Sequence, residues 1–125
     1  MKKIVNSNKA PKPIGPYSQA VLKNKTLYVS GQIPFDVESD QLIKNGIKEE
    51  TEQVMKNISF ILDEVNYSFE DIVMSNIFIS DMNDFPQINE VYGKYFKKDF
   101  PARATVQVAK LPLNVNVEIS VIAMK

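Results

Sequence analysis

The chain has 125 residues, the size of one domain, and its fifteen basic and fifteen acidic side chains cancel to a formal net charge of zero. Balanced charge argues against a general electrostatic grip on nucleic acid, and the absence of cysteine excludes disulfides, thiolate nucleophiles and Cys-ligated zinc. Histidine is absent too, so the commonest general base and metal ligand is missing, and any catalysis falls to carboxylates, Arg, Lys, Tyr, Ser, Thr or backbone amides.

Met1 to Asn8 has two lysines but no apolar stretch behind them, unlike a signal peptide. No apolar run approaches the ~20 residues of a membrane helix, so a soluble cytoplasmic protein with no membrane partner is expected. Pro11, Pro13 and Pro16 make the segment before Tyr17 an ordered arm rather than helix or central strand. Residues 18–22 and 26–30 read as short strands, with Lys23-Asn24-Lys25 as their turn. Gly31 to Lys48 reads as one long connection, and connections of that length inside compact domains are often functional.

From about Glu49 to Val65, the spacing of Val54, Ile58, Ile61, Leu62 and Val65 predicts an amphipathic helix. Glu49, Glu50 and Glu52 suit its positive N-terminal end and read as a solvated first turn. Residues 72–80 are rich in β-branched and aromatic side chains and predict a buried strand. Asp84 reads as the N-cap of a second helix to about Lys97, with Lys97 and Lys98 at its negative end. Phe100-Pro101 breaks that helix, and strands follow at about 103–109 and 115–124.

The order β-β-α-β-α-β-β predicts a single α+β domain over 1–125, one mixed sheet with both helices on one face. In the last two strands, Ala104, Val106 and Val108 alternate with Arg103, Thr105 and Gln107, and Val115, Val117, Ile119 and Val121 with Asn116, Glu118, Ser120 and Ile122. One set is expected to pack on the helices. The other ends in Ile122 and Met124, which helices on the far side leave uncovered, and such a half-apolar face predicts self-association.

The segment most suggestive of chemistry is Phe100 to Pro112, followed by Val117-Glu118-Ile119. Arg103 and Glu118 are expected on the non-helical face, within reach of one pocket. Two readings stay open: an ion pair that fixes neighbouring strands, or a pair of functional groups.

This stretch resembles the signature of the reactive-intermediate deaminase (Rid) family. Ile14-Gly15-Pro16-Tyr17-Ser18-Gln19-Ala20 is similar to the family's N-terminal motif, and Leu27-Tyr28-Val29-Ser30-Gly31-Gln32-Ile33-Pro34 to its second. Asp81-Met82-Asn83-Asp84-Phe85, with Asn89 and Tyr92, is similar to its entry into the second helix. The collinear resemblance spans essentially all 125 residues. It implies a chorismate-mutase-like fold and a homotrimer with pockets between subunits. It also implies hydrolysis of 2-imino acids such as 2-iminobutanoate and 2-iminopropanoate, with no metal and no cofactor.

By the same resemblance, Arg103 holds the substrate carboxylate and Glu118 positions or activates water. Tyr17, Ser30 and the backbone of Gly31 line the pocket, and Asn89 lies nearby across the interface. Thr105 departs from the cysteine of many members and reads equally as filler or as a substrate contact. The segment between the second helix and Pro101 looks shorter than in several relatives. The residue types suit this chemistry, because an Arg fork binds a carboxylate bidentately and a carboxylate can orient water and take its proton. The alternatives are a non-catalytic trimer that binds carboxylated metabolites, and a ribonuclease or translation inhibitor. Zero net charge and missing histidine argue against the last, since tracking phosphates needs a basic groove.

Overall fold

The computed structural model describes residues 1–125. Eight strands and two α-helices follow in the order β1 (Lys3–Val5), β2 (Ala20–Lys23), β3 (Thr26–Gln32), β4 (Phe35–Asp36), β5 (Gln41–Leu42), α1 (Ile47–Asp63), β6 (Ile72–Ile79), α2 (Phe85–Gly93), β7 (Ala102–Gln107) and β8 (Val117–Met124). Six of the strands form one sheet in the order β1-β2-β3-β8-β6-β7, and β4 pairs only with β5. All neighbours in the large sheet are antiparallel except β6 and β7, which are parallel and joined through α2.

Local chemistry accounts for the hairpins and helix ends. Asn24 and Lys25 both have positive φ, as the tight turn between β2 and β3 requires, and the Tyr67 hydroxyl donates to the Lys25 carbonyl at 2.7 Å. At the end of α1, Asn66 turns left-handed and the Tyr67 N–H donates back to the Leu62 carbonyl at 3.0 Å.

The core lies between the helices and one sheet face. Val54, Met55, Ile58, Ile61 and Leu62 of α1 pack there with Leu27, Val29, Ile77, Ile119 and Val121 of the sheet. The opposite face carries Tyr28, Met74, Phe78, Val106, Ile122 and Met124, and Tyr28 and Met124 are each about half exposed. The expected two-layer architecture and half-apolar open face are therefore present.

Several expected elements differ. Met1–Asn8 contributes an edge strand, β1, and the long connection after β3 folds into the small β4–β5 hairpin. The second helix ends at Gly93, so Lys97 and Lys98 lie beyond its last turn. Tyr95 and Phe96 still pack inward, in an aromatic cluster with Phe69. Glu50 is not solvated: only 5% of it is exposed, and both its carboxylate oxygens accept from Asn116 Nδ2. Glu52 accepts a hydrogen bond from the Tyr95 hydroxyl at 2.6 Å, so the first turn of α1 is a packed surface.

Candidate active site

Two groups of side chains stand out, on different faces of the sheet. The first is built at a break in the β3–β8 ladder. Val29 pairs with Val121 and Gln32 with Ile119, so Ser30 and Gly31 together oppose a single residue of β8. Such a bulge re-aims side chains and opens the ladder, and bulges are common beside functional sites. Glu118 fills the space left by the missing side chain of Gly31, where an added Cβ would stand 2.6 Å from its Cδ.

Glu118 makes no ion pair, and burial alone pushes its pKa above the ordinary carboxylate value. The Ser30 hydroxyl donates to the Ser18 carbonyl at 2.6 Å, which fixes its lone pairs relative to the bulge. The cleft beside these groups has a volume of about 980 Å³ and is walled in part by Ile14, Tyr17, Ile33 and Leu113.

A buried amide positions the arm that brings Tyr17 here. Gln19 accepts from the Ser7 N–H at 2.7 Å and donates to the carbonyls of Ser7, Ala10 and Pro11 at 3.1, 3.2 and 2.9 Å. Proline carbonyls and N–H-poor backbone cannot be held by a sheet ladder, so a side chain supplies the ties. Tyr17 is half exposed, and its hydroxyl accepts from the Ile14 N–H at 3.2 Å. Asn57 does the same service after β3: it is fully buried and donates to the carbonyls of Ile33 and Phe35, both at 3.0 Å. Sequence pattern assigns no role to Gln19 or Asn57. A polar residue inside an apolar-flanked motif, as at Gln19, is the one signal that could have found them.

The second group lies on the helix-bearing face at the β7 edge. Arg103 pairs in register with the buried Ser75, so its side chain rises on the side of α2. There its Nη1 donates to Asn89 Oδ1 at 2.8 Å, and its guanidinium carbon lies 5.3 Å from the ring centres of both Phe85 and Tyr92. The Tyr92 hydroxyl donates to Ser75 Oγ at 2.9 Å, which anchors that ring. Thr105 follows two residues on, and its Oγ1 is buried without a hydrogen-bond partner. One guanidinium nitrogen is thus committed to Asn89 while the exposed remainder faces outward.

This corrects the expectation that Arg103 and Glu118 share the non-helical face of adjacent strands. β6 lies between β7 and β8, Glu118 pairs with Phe78 on the open face, and Arg103 rises on the other. They form no ion pair, since the chain's one salt bridge joins Lys48 and Glu90 at 2.6 Å. The expected core set of this strand, Ala104, Val106 and Val108, is likewise misplaced: Ala104 and Val106 are exposed, with Ala102, and continue the open apolar face, while Val108 lies half-buried just past the end of β7. Within one chain, then, Tyr17, Ser30, Gly31 and Glu118 come together, and Asn89, Arg103 and Thr105 come together, but the two groups do not meet.

No helix is long and apolar enough to cross a membrane. Residues 7–125 match the family model described as Endoribonuclease L-PSP. The chain is 49% identical over 125 residues to a RutC family protein of Saccharolobus solfataricus, covering all of this chain and 99% of that one. It is 44% identical over 125 residues to the human 2-iminobutanoate/2-iminopropanoate deaminase, covering all of this chain and 91% of that protein. The crystal structure of a Yersinia pestis protein of the conserved Rid family superposes with a TM-score of 0.96 at 44% identity, over the full length of both chains.

Proposed function

The chain belongs to the reactive-intermediate deaminase (Rid) family, and on that footing we propose that it hydrolyses 2-imino acids, 2-iminobutanoate and 2-iminopropanoate among them, to 2-oxo acids and ammonia. The observation that carries this reading is Glu118: a carboxylate without an ion-pair partner, its pKa raised by burial, set against Gly31 in an open cleft. Such a group is suited to general-base work, and its raised pKa brings it nearer to the working range of one.

In this account Arg103 and Glu118 work on one substrate molecule. Arg103 grips the carboxylate with its free guanidinium edge, while Asn89, Phe85 and Tyr92 hold the fork in place. Glu118 takes a proton from water as the water oxygen bonds to the imine carbon, which gives a carbinolamine. That proton completes the amino group of the carbinolamine. The carbinolamine hydroxyl proton then moves to the same nitrogen by way of Glu118 as the C=O forms and the C–N bond breaks, and ammonia leaves. Holding the carboxylate and the water in register supplies most of what an already electrophilic imine needs.

Because the two groups lie on opposite faces of one chain, a working pocket has to draw Arg103 from one copy and Glu118 from another. The open apolar face, with Tyr28 and Met124 exposed and Ile122 half-buried between them, and the exposed edge strand β7 support such an association, which we assign to a homotrimer of a cytoplasmic enzyme. The nuclease activity in the family model's description finds less support: within one chain Lys12 is the only cationic residue lining the cleft.

The direct test is release of 2-oxo acid and ammonia from freshly generated 2-iminopropanoate and 2-iminobutanoate. The protein is expected to exceed the spontaneous rate at catalytic concentrations. A rate no faster than buffer, with ligand still bound, would favour a metabolite-binding role.

A further inference from the structure

Leu113 sits on a left-handed backbone, with φ 56 and ψ 21, in the turn between β7 and β8. The other six non-glycine residues with positive φ are four asparagines and aspartates of turns, Asn114 beside it, and Lys25 of the hairpin. Asn and Asp bear this conformation readily, and hairpin turns impose it, but an aliphatic side chain brings its Cβ against the following carbonyl. Burial within the chain does not offset that cost, because Leu113 is 57% exposed there. The turn holds it there nonetheless. Leu111 and Val115 are buried on either side, the Asn114 N–H donates to the Leu111 carbonyl at 3.0 Å, and the Val115 N–H donates to the Pro112 carbonyl at 3.2 Å.

A strained residue held in place by its neighbours and presenting an apolar group to solvent invites a functional account. Leu113 lines the cleft that contains Glu118, and also a smaller cavity of about 280 Å³ bounded by Leu42, Ile43 and Asn116, so it forms a wall between the two. On the cleft side, Ile14, Tyr17 and Pro112 extend the apolar surface.

We infer that Leu113 determines the side-chain preference of the cleft, giving the substituent on the imine carbon an apolar wall and favouring longer aliphatic 2-imino acids over small or charged ones. The inference rests on the imine-hydrolase reading. Once the carboxylate and the imine carbon are engaged by polar groups, the substituent is the part of the substrate left to meet this wall. Each methylene buried there is worth roughly fourfold in kcat/KM.

The test uses imines generated in place by an amino-acid oxidase from alanine, 2-aminobutyrate, norvaline and aspartate. Wild type is compared with Leu113→Ala, Leu113→Gly and Leu113→Met, and melting temperature is measured alongside. In wild type, kcat/KM is expected to climb from the methyl to the propyl substrate, with the aspartate-derived imine lowest. The propyl-to-methyl ratio should fall by about fourfold or more in the Ala and Gly variants and recover in Met. Leu113→Gly should melt above Leu113→Ala, because only glycine relieves the backbone. Active wild type with a flat series, or an unchanged slope in the Ala and Gly variants, overturns the role of Leu113 alone. Failure of wild type to hydrolyse any of the imines overturns the underlying reading, and this inference with it.

Discussion

The carboxylate of Glu118 occupies the place where a side chain on Gly31 would begin, with its Cδ 2.6 Å from the position of an added Cβ. The β3 bulge and the glycine within it therefore create the space for the proposed base, and burial in that space raises its pKa.

Gly31→Ala is expected to fold, because Glu118 can swing into the cleft, but to lose activity. A displacement of about 1 Å in a catalytic group can cost roughly a hundredfold in rate. Adding Gly31→Ala to Glu118→Gln should then cost little more, since both changes act on one group. Kinetics of the two single variants and the double variant measure this. Full additivity would mean that Gly31 acts independently of Glu118.

Glu118→Gln should keep the fold and lower turnover by up to about 10²–10⁴-fold, the range for losing a general base. The pH profile carries the sharper sign. The active form of Glu118 is ionised, so wild-type kcat/KM should fall as pH drops through its pKa, which burial within the chain raises and an Arg103 brought by a neighbouring copy opposes. That acid limb should vanish in Glu118→Gln, and a limb unchanged by the substitution assigns it to another group.

Arg103 is expected to tolerate not even lysine. A lysine keeps the charge but loses the planar fork, the Asn89 bond in its present geometry and stacking near Phe85 and Tyr92. Losing one partner of a close charged pair costs roughly 2–5 kcal/mol, or about thirty-fold to several thousand-fold in kcat/KM. Arg103→Lys should lie nearer to Arg103→Ala than to wild type, with circular dichroism unchanged in both. Retention of more than about half the activity in Arg103→Lys, a loss below ~0.5 kcal/mol, contradicts bidentate recognition.

Glu50 gives a prediction about stability rather than rate. Burial raises its pKa, only partly opposed by the Asn116 hydrogen bonds, and the charges of Asp84 and Glu49 push it further up. The folded state therefore binds the proton more tightly than the unfolded state. The stabilisation is complete below the unfolded carboxylate pKa and is lost as pH rises through the folded one. Glu50→Gln should raise the melting temperature at neutral pH relative to wild type, and the gain should shrink in acid. Thermal melts across that range test the sign.

Much of this architecture is legible in the sequence, and the exceptions have physical causes. The apolar spacing of Val54, Ile58, Ile61 and Leu62 locates α1, and all four are buried. Strand alternation assigns the core face of β8 correctly but the wrong face for β7, because it fixes parity within a strand and says nothing of which strand lies beside it. β6 separates β7 from β8, and the β6 register sets the direction of Arg103. There the flat guanidinium over Phe85 and Tyr92 takes the place that an apolar side chain was expected to fill. Glu50 departs from expectation for a related reason: its position in the first turn suits the helix dipole, while its burial depends on Asn116, 66 residues away. The bulge at Ser30–Gly31 leaves no local mark except the glycine.

The most direct test of the shared pocket is complementation between inactive variants. Arg103→Ala and Glu118→Ala should each be nearly inactive alone, since each removes one half of every pocket. Unfolded together in equal amounts and refolded, they should form mixed assemblies in which some pockets combine the intact Arg103 of one chain with the intact Glu118 of another. Random assortment predicts recovery of about a quarter of wild-type activity in a closed ring of like interfaces. Activity no greater than the sum of the two variants refolded separately would contradict a pocket shared between copies.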